Sequence, residues 1–263
     1  MRAAAIDLSK FWNPSDPILR FSNAECAAAA DLAFTELSGG ATRNGKYFRL
    51  CGQSGSGKTT QLLPAVTAFA QAARLKPVHL NIENFAKYHP RLDEIRRVYG
   101  GAFVRENTNA FALMSLLFAL EKISGADLDI ILEMTILAPK FEKFITSLLA
   151  KYAAEYHIMA VPKDTSDMFI ARRAAATGRK VDEKTSDLFY NALIPGLECV
   201  HSNAPAIVWS AFRAEPVFVG KISDSDLIPA IEKHRAAHAP ELPQEELRAA
   251  KIEWFENRAA ALQ

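Results

Sequence analysis

The fold of this chain is decided by eight residues, Gly52-Gln53-Ser54-Gly55-Ser56-Gly57-Lys58-Thr59. They match the P-loop pattern G-x-x-x-x-G-K-[ST], with a predicted strand before them and a predicted helix after them. Glycines allow the backbone to curl so that successive N–H groups face phosphate oxygens, and the N-terminus of the following helix adds partial positive charge. The segment therefore predicts a site for a nucleoside triphosphate.

Two side chains of the loop have predicted roles in that site. We expect Lys58 to reach the β and γ phosphates, and the Thr59 hydroxyl to be a ligand of Mg²⁺. The sequence leaves ATP and GTP open as the phosphoryl donor. The residues expected to bind it are Gly52, Gln53, Ser54, Gly55, Ser56, Gly57, Lys58, Thr59 and Thr60.

Outward from the loop, short apolar runs alternate with longer helical runs. Strands are predicted at 47–51, 77–82, 128–132 and 158–161, with a terminal hairpin of 206–212 and 216–219. Helices are predicted at 22–37, 59–74, 90–99, 110–123, 139–156, 166–177 and 183–193. This alternation predicts an α/β, P-loop kinase-like fold of three layers, with a mainly parallel central sheet, helices on both faces and an arginine-bearing lid.

Three segments of the chain are expected to differ in organisation. We predict an irregular N-terminal arm over 1–21, a P-loop kinase domain over 22–222 and a helical C-terminal tail over 223–263. The kinase domain is expected to begin with a capped helix, because Ser22 and Glu25 have the spacing of a capping box.

Composition excludes several classes of partner. The 263 residues include 31 basic and 30 acidic side chains, so the net charge of +1 gives no support for bulk binding to nucleic acid or to a membrane surface. The three cysteines are odd in number and widely spaced, which indicates a reducing compartment. No secretory signal is apparent, and no apolar stretch reaches the roughly 20 residues that span a bilayer. We therefore expect a cytoplasmic protein.

A P-loop alone does not separate kinases, GTPases and motor ATPases. The chain has no NKxD-type segment with which a GTPase would read its base. Motor ATPases usually carry an apolar strand that ends in Asp, often followed by Glu, whereas the strand LDIILEM ends here in Glu133, followed by Met134 and Thr135. These observations favour a small-molecule kinase.

Such a kinase needs a base for the acceptor hydroxyl and cations for the transferred phosphoryl group. Glu83 follows the predicted strand 77–82, at the sheet edge where ligands of parallel sheets bind. Arg172, Arg173 and Arg179 lie around a predicted helix end, as expected for a lid that closes over a phosphate.

Several segments in order carry a family resemblance. They are GQSGSGKTT at 52–60, NIENFAKYHPRLDEI at 81–95, ILEMT at 131–135, MAVPK at 159–163, ARR at 171–173 and GRKVDEKTSD at 178–187. In these segments the chain resembles the zeta toxin family of P-loop kinases, the toxins of epsilon/zeta and PezAT toxin–antitoxin systems. The resemblance extends over roughly residues 22–212.

The resemblance implies a reaction, a partner and a set of roles. Members transfer the γ-phosphate of a nucleoside triphosphate to a hydroxyl of a UDP-activated amino sugar, typically UDP-N-acetylglucosamine, and the product blocks cell-wall precursor synthesis. A nucleotide-sugar substrate and an antitoxin protein are therefore expected. The implied roles are phosphate and Mg²⁺ binding for Lys58 and Thr59, catalysis for Glu83, sugar contacts for Glu133 and Thr135, and lid arginines at Arg173 (or Arg172) and Arg179.

The chain departs from the family pattern on the acceptor side. Glu83 replaces an Asp, Asn81 replaces the preceding Asp, and Met134 replaces a Gly. The helix 110–120 lacks the acidic sugar contact that the resemblance implies. Two alternatives therefore stay open: a kinase of another small nucleotide or cofactor, and a non-catalytic module that binds a nucleotide. The retained Lys58 and Thr59 argue against the second alternative.

Overall fold

The structure, a computed structural model, describes residues 14–136, 139–178, 181, 183–237 and 244–261. The strands are β1 (Lys46–Cys51), β2 (Val78–Leu80), β3 (Ile130–Glu133), β4 (Ala153–Ala160), β5 (Pro205–Ser210) and β6 (Phe218–Lys221). The helices are α1 (Asn23–Leu37), α2 (Leu63–Ala72), α3 (Glu83–Ala86), α4 (Leu92–Tyr99), α5 (Val104–Gly125), α6 (Pro139–Leu148), α7 (Lys163–Thr177), α8 (Glu183–Leu197), α9 (Leu227–Ala236) and α10 (Gln244–Ala260). The turns Pro17–Leu19 and Gly101–Phe103 are 3₁₀-helical, and Lys58–Leu62 is a π-helical turn that leads into α2.

The six strands form one sheet in the order β2-β3-β1-β4-β5-β6. The first five are parallel, and β6 pairs antiparallel with β5 as the hairpin prediction requires. Because β1 lies between β3 and β4, the loop that follows β1 is flanked by the carboxyl ends of both neighbours. The sheet edge predicted to bind ligand is therefore formed around the P-loop.

Side chains of the strands alternate between two cores, as the period of a strand requires. Tyr47 and Cys51 of β1 belong to one core, together with buried residues of α1, α5 and α6. Phe48 and Leu50 belong to the other core, with buried residues of α2 and α10. The predicted three-layer α/β architecture is confirmed.

The predicted start of α1 is also correct. The Ser22 side chain accepts from the Glu25 backbone N–H at 3.2 Å, while the Glu25 carboxylate accepts from the Ser22 N–H at 2.7 Å. No helix in the described residues is both long and apolar enough to cross a membrane. The predicted division into arm, kinase domain and tail stays a prediction, and residues 1–13 of the arm lie outside the described residues.

Several predicted element boundaries differ from the structure, and the two largest differences are in helices. The helix predicted over 139–156 ends at Leu148, and Ala153–Ala160 is strand β4. Residues 153–156 fit a helical pattern locally, but as a strand they pair with β1, and Tyr156 also pairs with β5, so tertiary pairing overrides local preference. The helix predicted over 110–123 begins earlier, at Val104.

The C-terminal helix α10 covers the face of the sheet that carries the P-loop helix α2. Phe255 stacks on Trp209 with 5.3 Å between ring centroids, and its ring lies 5.7 Å from that of Phe69 in α2. Arg258 donates two hydrogen bonds, of 2.7 and 2.6 Å, to the carboxylate of Glu155 in β4. The helix therefore contributes to the second core.

A buried ion pair lies beneath the loop that follows β3. Arg49 of β1 and Glu142 of α6 are 0% and 1% exposed, and Arg49 Nη2 donates to Glu142 Oε1 at 2.9 Å. The same nitrogen donates to the backbone oxygen of Thr135 at 3.2 Å. The pair therefore connects the sheet to the predicted acceptor side.

We expect Glu142→Leu to destabilise the fold by roughly 3–5 kcal/mol, because removal of one partner leaves the Arg49 charge buried and unpaired. Urea denaturation followed by circular dichroism measures this loss. Asp93→Asn, which removes a carboxylate that is 95% exposed in a pair with Arg96, is the control and should leave the midpoint unchanged. Equal midpoints for Glu142→Leu and wild type would contradict the expectation.

Candidate active site

The P-loop adopts backbone angles that its glycines permit. Gly52, Gly55 and Gly57 have φ angles of 140°, 74° and 95°. A β-carbon on Gly55 would come within 2.4 Å of the backbone oxygen of Ser166, in the first turns of α7. The Ser166 hydroxyl donates to the backbone oxygen of Ser54. Helix α7 therefore packs directly against the loop, and only glycine fits at position 55.

Lys58 folds back over the loop. Its Nζ donates to the backbone oxygens of Gly52 at 2.9 Å and Gln53 at 2.7 Å, and lies 3.4 Å from the Ser56 hydroxyl. Burial lowers the pKa of Lys58 to about 8, although the charge of Glu133 opposes the shift. The ammonium group is thus held at the loop by neutral acceptors that a phosphate oxygen can replace.

Glu133 ends β3 beside the P-loop and is 6% exposed. The Thr59 hydroxyl donates to its Oε1, and His79 Nε2 lies 3.0 Å from its Oε2. Burial works to raise the pKa of Glu133, but the hydrogen bonds with His79 and Thr59 outweigh it, so this pKa lies below its ordinary value. The carboxylate is therefore held beside the P-loop, where the phosphoryl donor is expected to bind.

The hydroxyl and carboxylate oxygens at this point fit a Mg²⁺ ion. Mg²⁺ prefers oxygen ligands and keeps several waters, so one or two protein oxygens suffice beside the phosphates of a nucleotide. Within the described ranges, no group of three or more His, Cys, Asp and Glu side chains could hold a metal ion. Thr59 and Glu133 are the residues suited to hold the ion that accompanies a bound nucleotide.

Glu83 begins the short helix α3, three residues after β2 ends. Reciprocal hydrogen bonds between Asn81 and Asn84, of 2.8 and 3.0 Å, hold the intervening turn. The carboxylate of Glu83 lies 3.3 Å from Arg105 Nη2, in the first turn of α5. Burial and the nearby charge of Arg173 lower the pKa of Arg105 to about 10.

Arg173 of α7 lies close enough to both Lys58 and Arg105 for its charge to act on them. Its positive charge contributes to the lowered pKa of both residues, after the larger effect of burial. Its Nε and Nη2 are buried and have no hydrogen-bond partner in the part of the chain that the structure describes. Arg172, the alternative lid arginine, is exposed. Arg179 lies outside the described residues.

A comparison with protein families now decides the relationship. The sequence model described as Zeta toxin matches residues 43–212, well over half of the 263 residues. The chain belongs to the zeta toxin family. The matched region begins just before β1 and ends just after β5, so it contains every candidate site residue named above.

A solved structure agrees with this fold. A chain from the PezAT chromosomal toxin–antitoxin system of Streptococcus pneumoniae aligns with a TM-score of 0.66 and 17% identity, covering 94% of the present chain and 100% of that chain. At this identity the likeness shows the fold alone. A Chloroflexus aurantiacus protein, provisionally assigned as a kinase, aligns with a TM-score of 0.47, 15% identity and coverage of 84% and 98%. A comparison with curated protein sequences gives no match.

In the ILEMT segment of this zeta toxin family member, the neighbouring side chains of Glu133, Met134 and Thr135 lie in different environments. Met134, which replaces a family Gly, is 4% exposed and packs into the first core. Its backbone N–H donates to Leu50 O at 3.2 Å, next to the P-loop. Thr135 is partly exposed beyond it. The bulky side chain at 134 is therefore accommodated in the core.

Sequence reasoning missed Arg105 and His79. His79 stands between two buried residues of β2, Val78 and Leu80, and this alternation is a signal that could have identified a polar contact. Arg105 belongs to no recognisable sequence motif. It contacts Glu83 from the first turn of α5, a helix that begins earlier than predicted.

We expect Gly55→Ala to abolish nucleotide binding, because the added methyl group would displace either the loop or α7. Binding of a fluorescent ATP analogue measures the effect. The matched control is Gly125→Ala, since a β-carbon there meets no atom within 4 Å. Nucleotide affinity of Gly55→Ala equal to that of the control would show that the loop tolerates a side chain at this point.

Proposed function

We propose that this chain is a kinase that transfers the γ-phosphate of ATP or GTP to a hydroxyl of a UDP-activated amino sugar resembling UDP-N-acetylglucosamine. Membership of the zeta toxin family supports a P-loop kinase. One observation carries the chemical proposal: Arg173 presents buried guanidinium nitrogens without a partner among the described residues, close to Lys58 and to the Arg105–Glu83 pair.

The proposed transfer uses these groups in one step. The acceptor hydroxyl oxygen attacks the γ-phosphorus, and Glu83 takes the hydroxyl proton. The bond between the γ-phosphorus and its bridging oxygen breaks, and the nucleoside diphosphate leaves. Lys58 and Arg173 stabilise the charge on the transferred group, which is the main work of a phosphoryl-transfer site.

Thr59 would hold the Mg²⁺ ion, which when bound neutralises charge on the β and γ oxygens. The Lys58 ammonium would exchange its loop carbonyls for phosphate oxygens. Thr135, two residues beyond β3, is the proposed contact for the sugar. Arg179 stays a predicted second cation for the same group.

A second acceptor class is favoured by Arg105. The resemblance implies an acidic sugar contact from the helix before β3, whereas α5 places an arginine beside Glu83. A guanidinium at this position suits an acceptor with an anionic group near its reacting hydroxyl, such as another phosphorylated nucleotide or cofactor.

The biological consequence follows from the acceptor. Phosphorylation of a UDP-amino sugar would remove a cell-wall precursor and make the protein toxic. The PezAT structure comes from a toxin–antitoxin system, and we propose that an antitoxin protein likewise restrains this chain.

Transfer of label from γ-³²P ATP or GTP to a panel of UDP-sugars tests the proposal. We expect Lys58→Met, Glu83→Gln and Arg173→Gln each to reduce transfer by roughly 100- to 1,000-fold, the usual effect of removing a group that stabilises a transition state. Arg172→Gln is the matched control on the same helix and should retain activity. Absence of transfer from wild type to any UDP-sugar would reject this acceptor class.

We expect Arg105→Gln to raise KM for the acceptor at least about tenfold, because a hydrogen bond to a charged group contributes about 1.5 kcal/mol or more. The KM for the nucleotide should stay unchanged. Arg97→Gln, at an arginine that is 77% exposed in α4, is the control. If Arg105→Gln lowers kcat alone, Arg105 positions Glu83 and does not bind the acceptor.

A further inference from the structure

Glu133 is held from two sides by residues of different elements. β3 lies between β1 and β2, and Glu133 is paired in register with Leu50, two residues before the P-loop begins. One carboxylate oxygen accepts from the Thr59 hydroxyl, and the other lies 3.0 Å from His79 Nε2. Both oxygens are thus engaged by neighbouring side chains, one in the P-loop and one in β2.

We propose that Glu133 positions the metal-binding hydroxyl of Thr59, and that His79 holds Glu133 in place for this task. The inference rests on the proposed kinase function for its choice of metal, the Mg²⁺ that accompanies a nucleoside triphosphate. It assigns Glu133 to the donor side, whereas the family resemblance predicts a sugar contact for this residue.

The chemistry of the threonine hydroxyl supports this assignment. A hydroxyl has one hydrogen and two lone pairs. Because Thr59 gives its hydrogen to Glu133, a lone pair is left to face a cation instead of rotating among neighbours. A carboxylate beside the ion can also accept hydrogen bonds from the waters that Mg²⁺ retains.

His79 restricts the carboxylate itself. An ionised carboxylate only accepts hydrogen bonds, so the nitrogen that faces it, Nε2, carries the ring proton. With Thr59 on one oxygen and His79 on the other, the Glu133 side chain cannot turn toward the acceptor without breaking a hydrogen bond in a buried setting. Outer contacts of this kind orient ligands at metal sites.

The test measures metal binding directly and needs no acceptor. Mn²⁺ is titrated into the full chain with a non-hydrolysable ATP analogue, and free Mn²⁺ is followed by electron paramagnetic resonance. We expect Glu133→Gln to weaken Mn²⁺ binding by roughly 10- to 100-fold, as loss of an outer-shell partner does elsewhere. Binding of the same nucleotide in EDTA should stay at the wild-type level.

Two substitutions of His79 test its proposed role in holding Glu133. His79→Leu removes the hydrogen bond and should weaken Mn²⁺ binding in the same direction, whereas His79→Gln offers an amide donor and should restore part of the loss. Asp93→Asn, an acid-to-amide change at a carboxylate that is 95% exposed, is the matched control and should leave Mn²⁺ affinity unchanged. Circular dichroism and thermal melting verify that each variant folds, and Glu133→Asp replaces Glu133→Gln if the latter unfolds.

One result would overturn the inference: wild-type Mn²⁺ affinity in Glu133→Gln together with a raised KM for the acceptor, which is the outcome that the sugar-contact prediction expects. Failure of the proposed function is recognised separately. If wild type phosphorylates no UDP-sugar but Glu133→Gln still loses Mn²⁺ affinity, the acceptor proposal fails while the role of Glu133 stands.

Discussion

The pairing of β1 with β3 on one side and β4 on the other fixes where each functional group lies. In this register Leu50 stands opposite Glu133, and Cys51 stands opposite Ile158. The P-loop that leaves β1 therefore emerges between the Glu133 carboxylate and the start of α7. A slip of one residue would turn Glu133 to the other face of the sheet. The backbone hydrogen bonds between the strands therefore determine where the side chains of the site lie.

Several positively charged side chains are buried around the P-loop, and their burial lowers the stability of the fold. Burial lowers the pKa of Lys58 to about 8 and that of Arg105 to about 10, which means that the charged forms are less favourable here than in water. Arg173 adds a third cation, with buried nitrogens that have no partner among the described residues. A bound triphosphate would supply the missing anions, and the free energy lost in the fold would then be recovered as binding energy.

The sequence allowed the prediction of what is local or periodic. The P-loop, the capping box at Ser22 and the alternation of strands with helices are properties of neighbouring residues, and the structure confirms them. The contact between Glu83 and Arg105 joins two elements and depends on where α5 begins, so no local pattern encodes it. The first half of β4 was missed for a similar reason, since residues 153–156 are extended because they pair with β1, and Tyr156 also with β5.

Helix α7 both packs against the P-loop and carries Arg173, so the two are connected rigidly. Its first turns pack against Ser54 and Gly55 through Ser166, and Arg173 follows seven residues later, about two turns along the same helix. The helix ends at Thr177 and is capped by Gly178, which has a left-handed φ of 72°. Because one continuous helix carries both contacts, Arg173 cannot move far without displacing Ser166 from the loop. Arg173 thus belongs to the same rigid unit as the contact between Ser166 and the P-loop, and its guanidinium is held close to Lys58.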